Sequence, residues 1–426
     1  MRQKLKKIII PVRGTNTAAI LVMVGTGSKY ENKKTSGLSH FVEHMLFKGT
    51  KKRPNTLIIS SDLDRLGGEY NAFTGKEYTG YWVKVSKEKI EPAIEILSDM
   101  FLNSLFKQSE IEREKGVIIE ELNMYQDNPL MHIEDVFEEC LYGDTPAGRD
   151  TIGTKENILS FKRSDFVKYF SSQYGPNNTI ICVAGNINKK KTHQLIDKYF
   201  LRPEFLSRGK NFKDKELVED IQEKPQTKIK YKQTDQVHLS LGVRTFPWRH
   251  KNELATRLLA VILGGSMSSR LFINLRERKG LAYYVRTSAE FYTDTGYLTT
   301  QAGVPINKFN EAVKIILNEY NKLKKITVKK EEFERVKDLI IGRLALQLES
   351  ADSMASWYAR QEIMKLAVER IDKERAKDSV LTPKDYLKKI KKITINDIKR
   401  VSQEIFVDSR LNLAAIGPEG IEWKWE

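Results

Sequence analysis

The sequence predicts an α+β fold of two related halves, each with helices packed on a mainly antiparallel sheet. Three observations lead there. Strand-like runs alternate with several long amphipathic helices in succession, a strand signature recurs at a fixed offset, and one polar stretch separates the two copies.

Taken in order, Ala18–Val24 is the longest apolar run and reads as a buried strand. The segment Gly68–Val83 is a strand-like run rich in Thr and Tyr that contains Thr79-Gly80-Tyr81. Its counterpart, Tyr284–Ala302, contains Thr295-Gly296-Tyr297, 216 positions further on. Long amphipathic helices are expected over Lys87–Phe106, Ser109–Gln126, Ile306–Lys325, Lys330–Ser350 and Met354–Ile371. A second repeated pair closes each half. Ser164-Asp165 opens a helix that leads to the strand Thr179–Ala184 and Gly185; Asn396-Asp397 opens one that leads to Leu411–Ile416 and Gly417. Each opening residue is of a type that accepts hydrogen bonds from the free N–H groups of a first helical turn. The charged, proline-containing region from Pro203 to Thr227 suits the connection, so the expected division is a domain over 1–205, a linker over 206–227 and a domain over 228–426.

At 426 residues the chain exceeds what one hydrophobic core usually serves. No window approaches the roughly 18 apolar residues of a membrane helix. The start, Met1 to Arg13, has a basic head but neither a long apolar run nor a small-residue cleavage site, so a cytoplasmic protein is expected. Cys140 and Cys182 stand far apart and in no metal-like spacing, which reads as two reduced structural thiols. The net charge of +16 raises nucleic-acid binding. However, the lysines and arginines lie in short runs among many carboxylates, without a zinc finger, a recognition-helix pattern or an aromatic RNA-binding signature. Solvated surface is therefore the reading taken, with some preference for acidic peptides as its corollary.

The sharpest chemical signal is His40-Phe41-Val42-Glu43-His44. Residues four apart share a helix face, so His40 and His44 can place two imidazoles on one ion, with Glu43 beside them to take a proton from the metal's water. This is the inverted H-x-x-E-H order of zinc peptidases. A catalytic zinc needs a third protein ligand and an open position. On the helix Ser109–Gln126, Glu114 and Glu121 fall nearly in line, Val117 and Ile118 share their stripe, and Glu120 points away. A carboxylate on an apolar stripe is costly to bury unless something positive meets it, which a metal would do; a stripe that merely edges into solvent is the alternative.

His40–His44 (HFVEH), followed by the helix sequence EREKGVIIEEL, resembles the pitrilysin/insulinase family of metallopeptidases, in the short form related to mitochondrial processing peptidase. The resemblance runs over nearly the whole chain, including the repeat. It implies zinc as the cofactor, Glu121 as the third ligand and Glu114 as a supporting carboxylate behind the site. GGEYNAFTGKEYTGY is similar to the family's strand bordering the cleft, which implies that Asn71, Ala72 and Phe73 hold substrate near the scissile bond. GGSMSSRLFINLRERKGLAY is similar to its C-terminal signature and implies an Arg276–Tyr283 pair that grips the substrate or steadies the tetrahedral intermediate. One departure is Asp144-Thr145-Pro146-Ala147-Gly148-Arg149, where relatives carry His-Pro-Leu-Gly-Arg. At the repeat offset His40, Glu43 and His44 meet Thr256, Leu259 and Ala260, so one metal site per chain is expected.

The expected protein is a zinc-dependent endopeptidase with Glu43 as base. Its two halves form a clamshell whose closed chamber admits peptides or unfolded segments, added as a strand to a sheet edge. A homodimer is the simpler expectation, since one chain carries both the metal motif and the Arg–Tyr pair. The competing reading is a non-catalytic, peptide-holding or structural subunit of the same fold, and a third, nucleic-acid binding, rests on charge alone.

Overall fold

The computed structural model describes residues 5–425, so Met1–Lys4 of the basic start lie outside it. Among the described residues, ten strands form two five-stranded sheets. The first holds β1 (Lys6–Pro11), β2 (Thr17–Val24), β3 (Glu69–Thr74), β4 (Thr79–Ser86) and β5 (Thr179–Gly185) in the order β1-β5-β2-β4-β3. The second holds β6 (Gln226–Tyr231), β7 (Gln236–Thr245), β8 (Tyr284–Phe291), β9 (Gly296–Pro305) and β10 (Leu411–Gly417) in the order β6-β10-β7-β9-β8. The two orders correspond strand for strand. In each sheet the outer pair, β1 with β5 or β6 with β10, is parallel and the other pairs are antiparallel. The twofold repeat and the mainly antiparallel sheets read from the sequence are therefore present.

The repeated Thr-Gly-Tyr marks the start of β4 and of β9, and its glycine has a physical cause in both. A Cβ on Gly80 would lie 2.3 Å from the Phe73 ring, and one on Gly296 would lie 2.3 Å from the Phe246 carbonyl oxygen. The tyrosines that follow, Tyr81 and Tyr297, are each 1% exposed. The two closing helices are capped two residues earlier than expected. They span Arg163–Gln173 and Ile395–Ile405, with Lys162 and Thr394 at the cap positions. Asp165 and Asp397 sit a turn in and accept the backbone N–H of Lys162 and Thr394 at 2.9 Å each.

The chain divides into two compact units, but not at a single linker. One comprises residues 1–122, 150–216 and 345–382; the other comprises 123–149, 217–344 and 383–426. This corrects the contiguous division 1–205 and 228–426: each half of the chain lends a helix to the other unit. The helix Pro129–Tyr142 packs on β10, where Ile133, Val136, Phe137 and Leu141 join Tyr297, Ala414 and Ile416 in one buried cluster. The helix Ala351–Ile371 packs on β2 and β5 and presents the small buried residues Ala351, Ala355, Ala359 and Ala367. β2 needs such cover, because Ala18 through Val24 are all at most 1% exposed and alternate residues point to opposite faces. The helix Ile90–Asn103 packs on β2 and β4 as well. No described helix is long and apolar enough to cross a membrane, and both cysteines are buried and free.

Candidate metal centre

The motif lies on the helix Leu38–Met45. Its apolar residues Leu38, Phe41, Val42 and Met45 recur with helical spacing and are each at most 2% exposed, which turns His40, Glu43 and His44 the other way. Phe41 locks the buried face by an edge-on contact with Phe166, centroids 4.8 Å apart. The helix opens at Gly37, whose φ of 96° is left-handed. The Glu31 carboxylate accepts the backbone N–H of Gly37 at 2.8 Å and of Ser39 at 2.5 Å, satisfying donors that a helix start leaves open. Burial pushes the Glu31 carboxyl up to about 7, against the opposing hydrogen bonds from Ser39 and Gly37.

Across from it runs the helix Gln108–Asp127. Its buried residues Ile111, Glu114, Lys115, Ile118 and Leu122 define the packed stripe. Val117 is 51% exposed, a correction to its expected place on that stripe. At about 100° per residue the stripe centres near Ile118, which leaves Val117 on the far flank of Glu114 and Glu121. Glu120 is exposed, as its angle required.

The donors converge. His40 Nε2 lies 3.6 Å from Glu121 Oε1, and His44 Nε2 lies 3.3 Å from Glu121 Oε2. One ligand atom from each of the three residues falls within 4.8 Å of the others, the one such group of three among the described residues. A tetrahedral zinc with bonds of about 2.1 Å separates its ligand atoms by about 3.4 Å. Two imidazoles and one carboxylate with a further position open form a catalytic rather than a structural donor set. The residues fit zinc.

Behind the ligands, His44 Nδ1 meets Glu114 Oε1 at 2.9 Å, and Glu114 Oε2 meets Lys48 Nζ at 2.6 Å. Burial alone would lower the His44 pKa, but its hydrogen bonds with Glu114 and Glu121 outweigh that and raise it to about 9. The Glu121 carboxyl is held far below the usual range by its hydrogen bonds with His40 and His44. Burial pushes Glu114 up, while His44 and Lys48 pull it down further and leave it lowered. Glu43 is raised, by burial first, against the hydrogen bond from Thr74 and the two imidazoles. Its Oε2 accepts the Thr74 hydroxyl, which comes from the end of β3.

β3 also carries Asn71, Ala72 and Phe73 and lies at a sheet edge. Asn71 is exposed, and its side-chain oxygen accepts the Ala72 N–H at 2.8 Å. Arg276 and Tyr283 belong to the other unit. There the Arg276 guanidinium, on a π-helical turn at Phe272–Glu277, lies 5.6 Å from the Tyr283 ring centre, and Tyr283 is 78% exposed. Sequence reasoning missed Thr74 and Lys48. Each had a signal: Thr74 ends the strand that holds Asn71–Phe73, and Lys48 follows His44 by four residues.

Residues 7–155 match the insulinase (peptidase family M16) profile, and residues 160–340 match the profile of the peptidase M16 inactive domain. The chain is 33% identical over 405 residues to a Bacillus subtilis protein called uncharacterized zinc protease YmxG, covering 95% of this chain and 94% of that one. It is likewise 33% identical over 409 residues to an uncharacterized zinc protease of Rickettsia felis, covering 95% and 93%. The crystal structure of a protease from Helicobacter pylori has the same fold, with a TM-score of 0.85 at 24% identity over 97% of this chain and 98% of that one. With its inverted zinc motif, its paired five-stranded sheets and zinc-protease relatives along almost its whole length, the chain belongs to the insulinase-type M16 family of peptidases.

Proposed function

We propose that this chain is a zinc-dependent endopeptidase that hydrolyses peptides or unfolded segments at the centre formed by His40, His44 and Glu121. One observation carries the reading: three donors converge in one place, and the carboxylate beside them is desolvated and held by a hydroxyl. Bound there, zinc supplies a Lewis acid that brings the pKa of water toward neutrality and polarises a carbonyl. Glu43 takes the proton of the attacking water and delivers it to the leaving amine. Its raised proton affinity suits a group that must hold a proton between two transfers. Thr74 keeps one carboxylate oxygen of Glu43 engaged, so the other faces the reaction.

The peptide adds as a further strand to the free edge of β3, at Asn71–Phe73, where backbone groups give affinity without demanding a sequence. The proposal extends to a closed chamber in which Arg276 supplies a fixed cation and Tyr283 a hydrogen-bond donor toward developing negative charge. Their mutual proximity and the exposure of Tyr283 support that part. A homodimer belongs to the same proposal, and light scattering on the purified protein checks it.

The test is a metal analysis joined to a chelator-sensitive digest of unfolded peptide, read by mass spectrometry. Glu43→Gln keeps its zinc and loses about 10²- to 10⁴-fold in kcat, the usual contribution of a positioned base. Cleavage by that variant at the parent rate removes Glu43 from its role. Zinc-loaded parent protein that binds peptides and leaves them whole makes the chain a non-catalytic holding subunit instead.

A further inference from the structure

We propose that Lys48 is a positioning residue of the metal centre, acting through Glu114 to fix the His44 ring for ligation. The inference rests on the zinc reading above. The two helical segments meet in an alternating ladder. Lys48 Nζ lies 2.6 Å from Glu114 Oε2, and Glu114 Oε1 lies 2.9 Å from His44 Nδ1. The ladder continues from His44 Nε2 to Glu121 Oε2 at 3.3 Å, and from Glu121 Oε1 to His40 Nε2 at 3.6 Å. Lys48 is thus the outermost rung, and its reach depends on how the motif helix ends. The helix stops at Met45, but Phe47 N–H still bonds to the His44 carbonyl at 3.1 Å and Lys48 N–H to the Met45 carbonyl at 3.2 Å. That extra turn keeps Lys48 on the face of His40 and His44.

Two features make this rung consequential. The Glu114 side chain is only 4% exposed, so its charge is met by protein groups, and the cation among them is Lys48, itself 21% exposed. A carboxylate tethered at one oxygen has its other oxygen aimed, and here the aim is at His44 Nδ1. Holding Nδ1–H orients the ring with Nε2 turned to the metal position. The second feature is an asymmetry: His40 Nδ1 is buried without a hydrogen-bond partner. Of the two imidazoles, therefore, only His44 has its outer nitrogen held.

The experiment measures zinc affinity of the full chain by competition with a chromophoric chelator, alongside thermal melting. Lys48→Met weakens zinc about 10- to 100-fold, the usual cost of losing an outer partner of a ligating histidine, while Lys48→Arg stays within about threefold of the parent. In a Glu114→Gln background the further change Lys48→Met adds less than about twofold, because the relay is already cut. Should Lys48→Met lose its melting transition, Lys48→Gln carries the same comparison with a donor retained and the charge removed. Zinc affinity unchanged in Lys48→Met overturns the proposal, as does an equal loss with and without Glu114. A parent chain that binds no zinc overturns the metal reading itself, which is a separate outcome.

Discussion

Replacing Thr74 by Val tests whether the base is held as well as present. Val keeps the shape of Thr and removes its hydroxyl, whose acceptor is Glu43 Oε2. A hydrogen bond to a charged group contributes about 1.5–3 kcal/mol, and each 1.36 kcal/mol is tenfold in rate, so the loss is bounded at about 10- to 150-fold. Glu43 is one position from a ligand without being one, so the loss belongs in kcat, with zinc content unchanged. The Thr74 hydrogen bond also opposes the effect of burial on Glu43. Removing it raises the Glu43 pKa further, so the acid limb of the pH–rate profile moves toward higher pH. The assay is steady-state cleavage of a quenched fluorescent peptide from pH 5 to pH 9, with Thr74→Ser as the control that restores the donor. A Thr74→Val protein with the parent's kcat and the parent's acid limb refutes the reasoning.

The remaining predictions concern the ligands and the frame that carries them. Glu121→Ala abolishes stoichiometric zinc in elemental analysis while the exposed neighbouring change Glu120→Ala keeps it; the reverse result places the third ligand elsewhere. Glu77 is fully buried beside Lys29 and Lys215, so Glu77→Gln removes the carboxylate both ammonium groups share and lowers stability by about 3 kcal/mol in urea unfolding. Burial pushes the Glu77 carboxyl up, but the Lys215 and Lys29 charges outweigh it and depress it from 4.5 to about 2. A depressed folded-state pKa stabilises above pH 4.5, and that contribution is lost as pH falls from 4.5 toward 2, so the parent and Glu77→Gln differ less in stability at pH 3 than at pH 7. Ala359→Leu forces extra volume where Ala359 is 0% exposed on the helix that covers β2 and β5. It lowers the unfolding free energy by about 1–3 kcal/mol, and an unchanged melting temperature contradicts the packing described.

The sequence by itself determined whatever depends on short spacing. Two imidazoles at i and i+4 with a carboxylate between them, apolar periods that write long helices, and a Thr-Gly-Tyr repeat that marks β4 and β9 all act within a few residues of one another. Only the tertiary structure decided the long-range partners. By helical periodicity Glu114 and Glu121 were equivalent, and only the family resemblance told them apart; packing sets Glu121 against both imidazoles and Glu114 against His44 and Lys48. Val117 shared an angular sector with them, yet burial of Ile111, Ile118 and Leu122 left it outside. The exchange of helices Pro129–Tyr142 and Ala351–Ile371 between the two units was equally invisible. An amphipathic pattern states that a face must be covered, and which sheet covers it is settled by the burial the whole chain achieves.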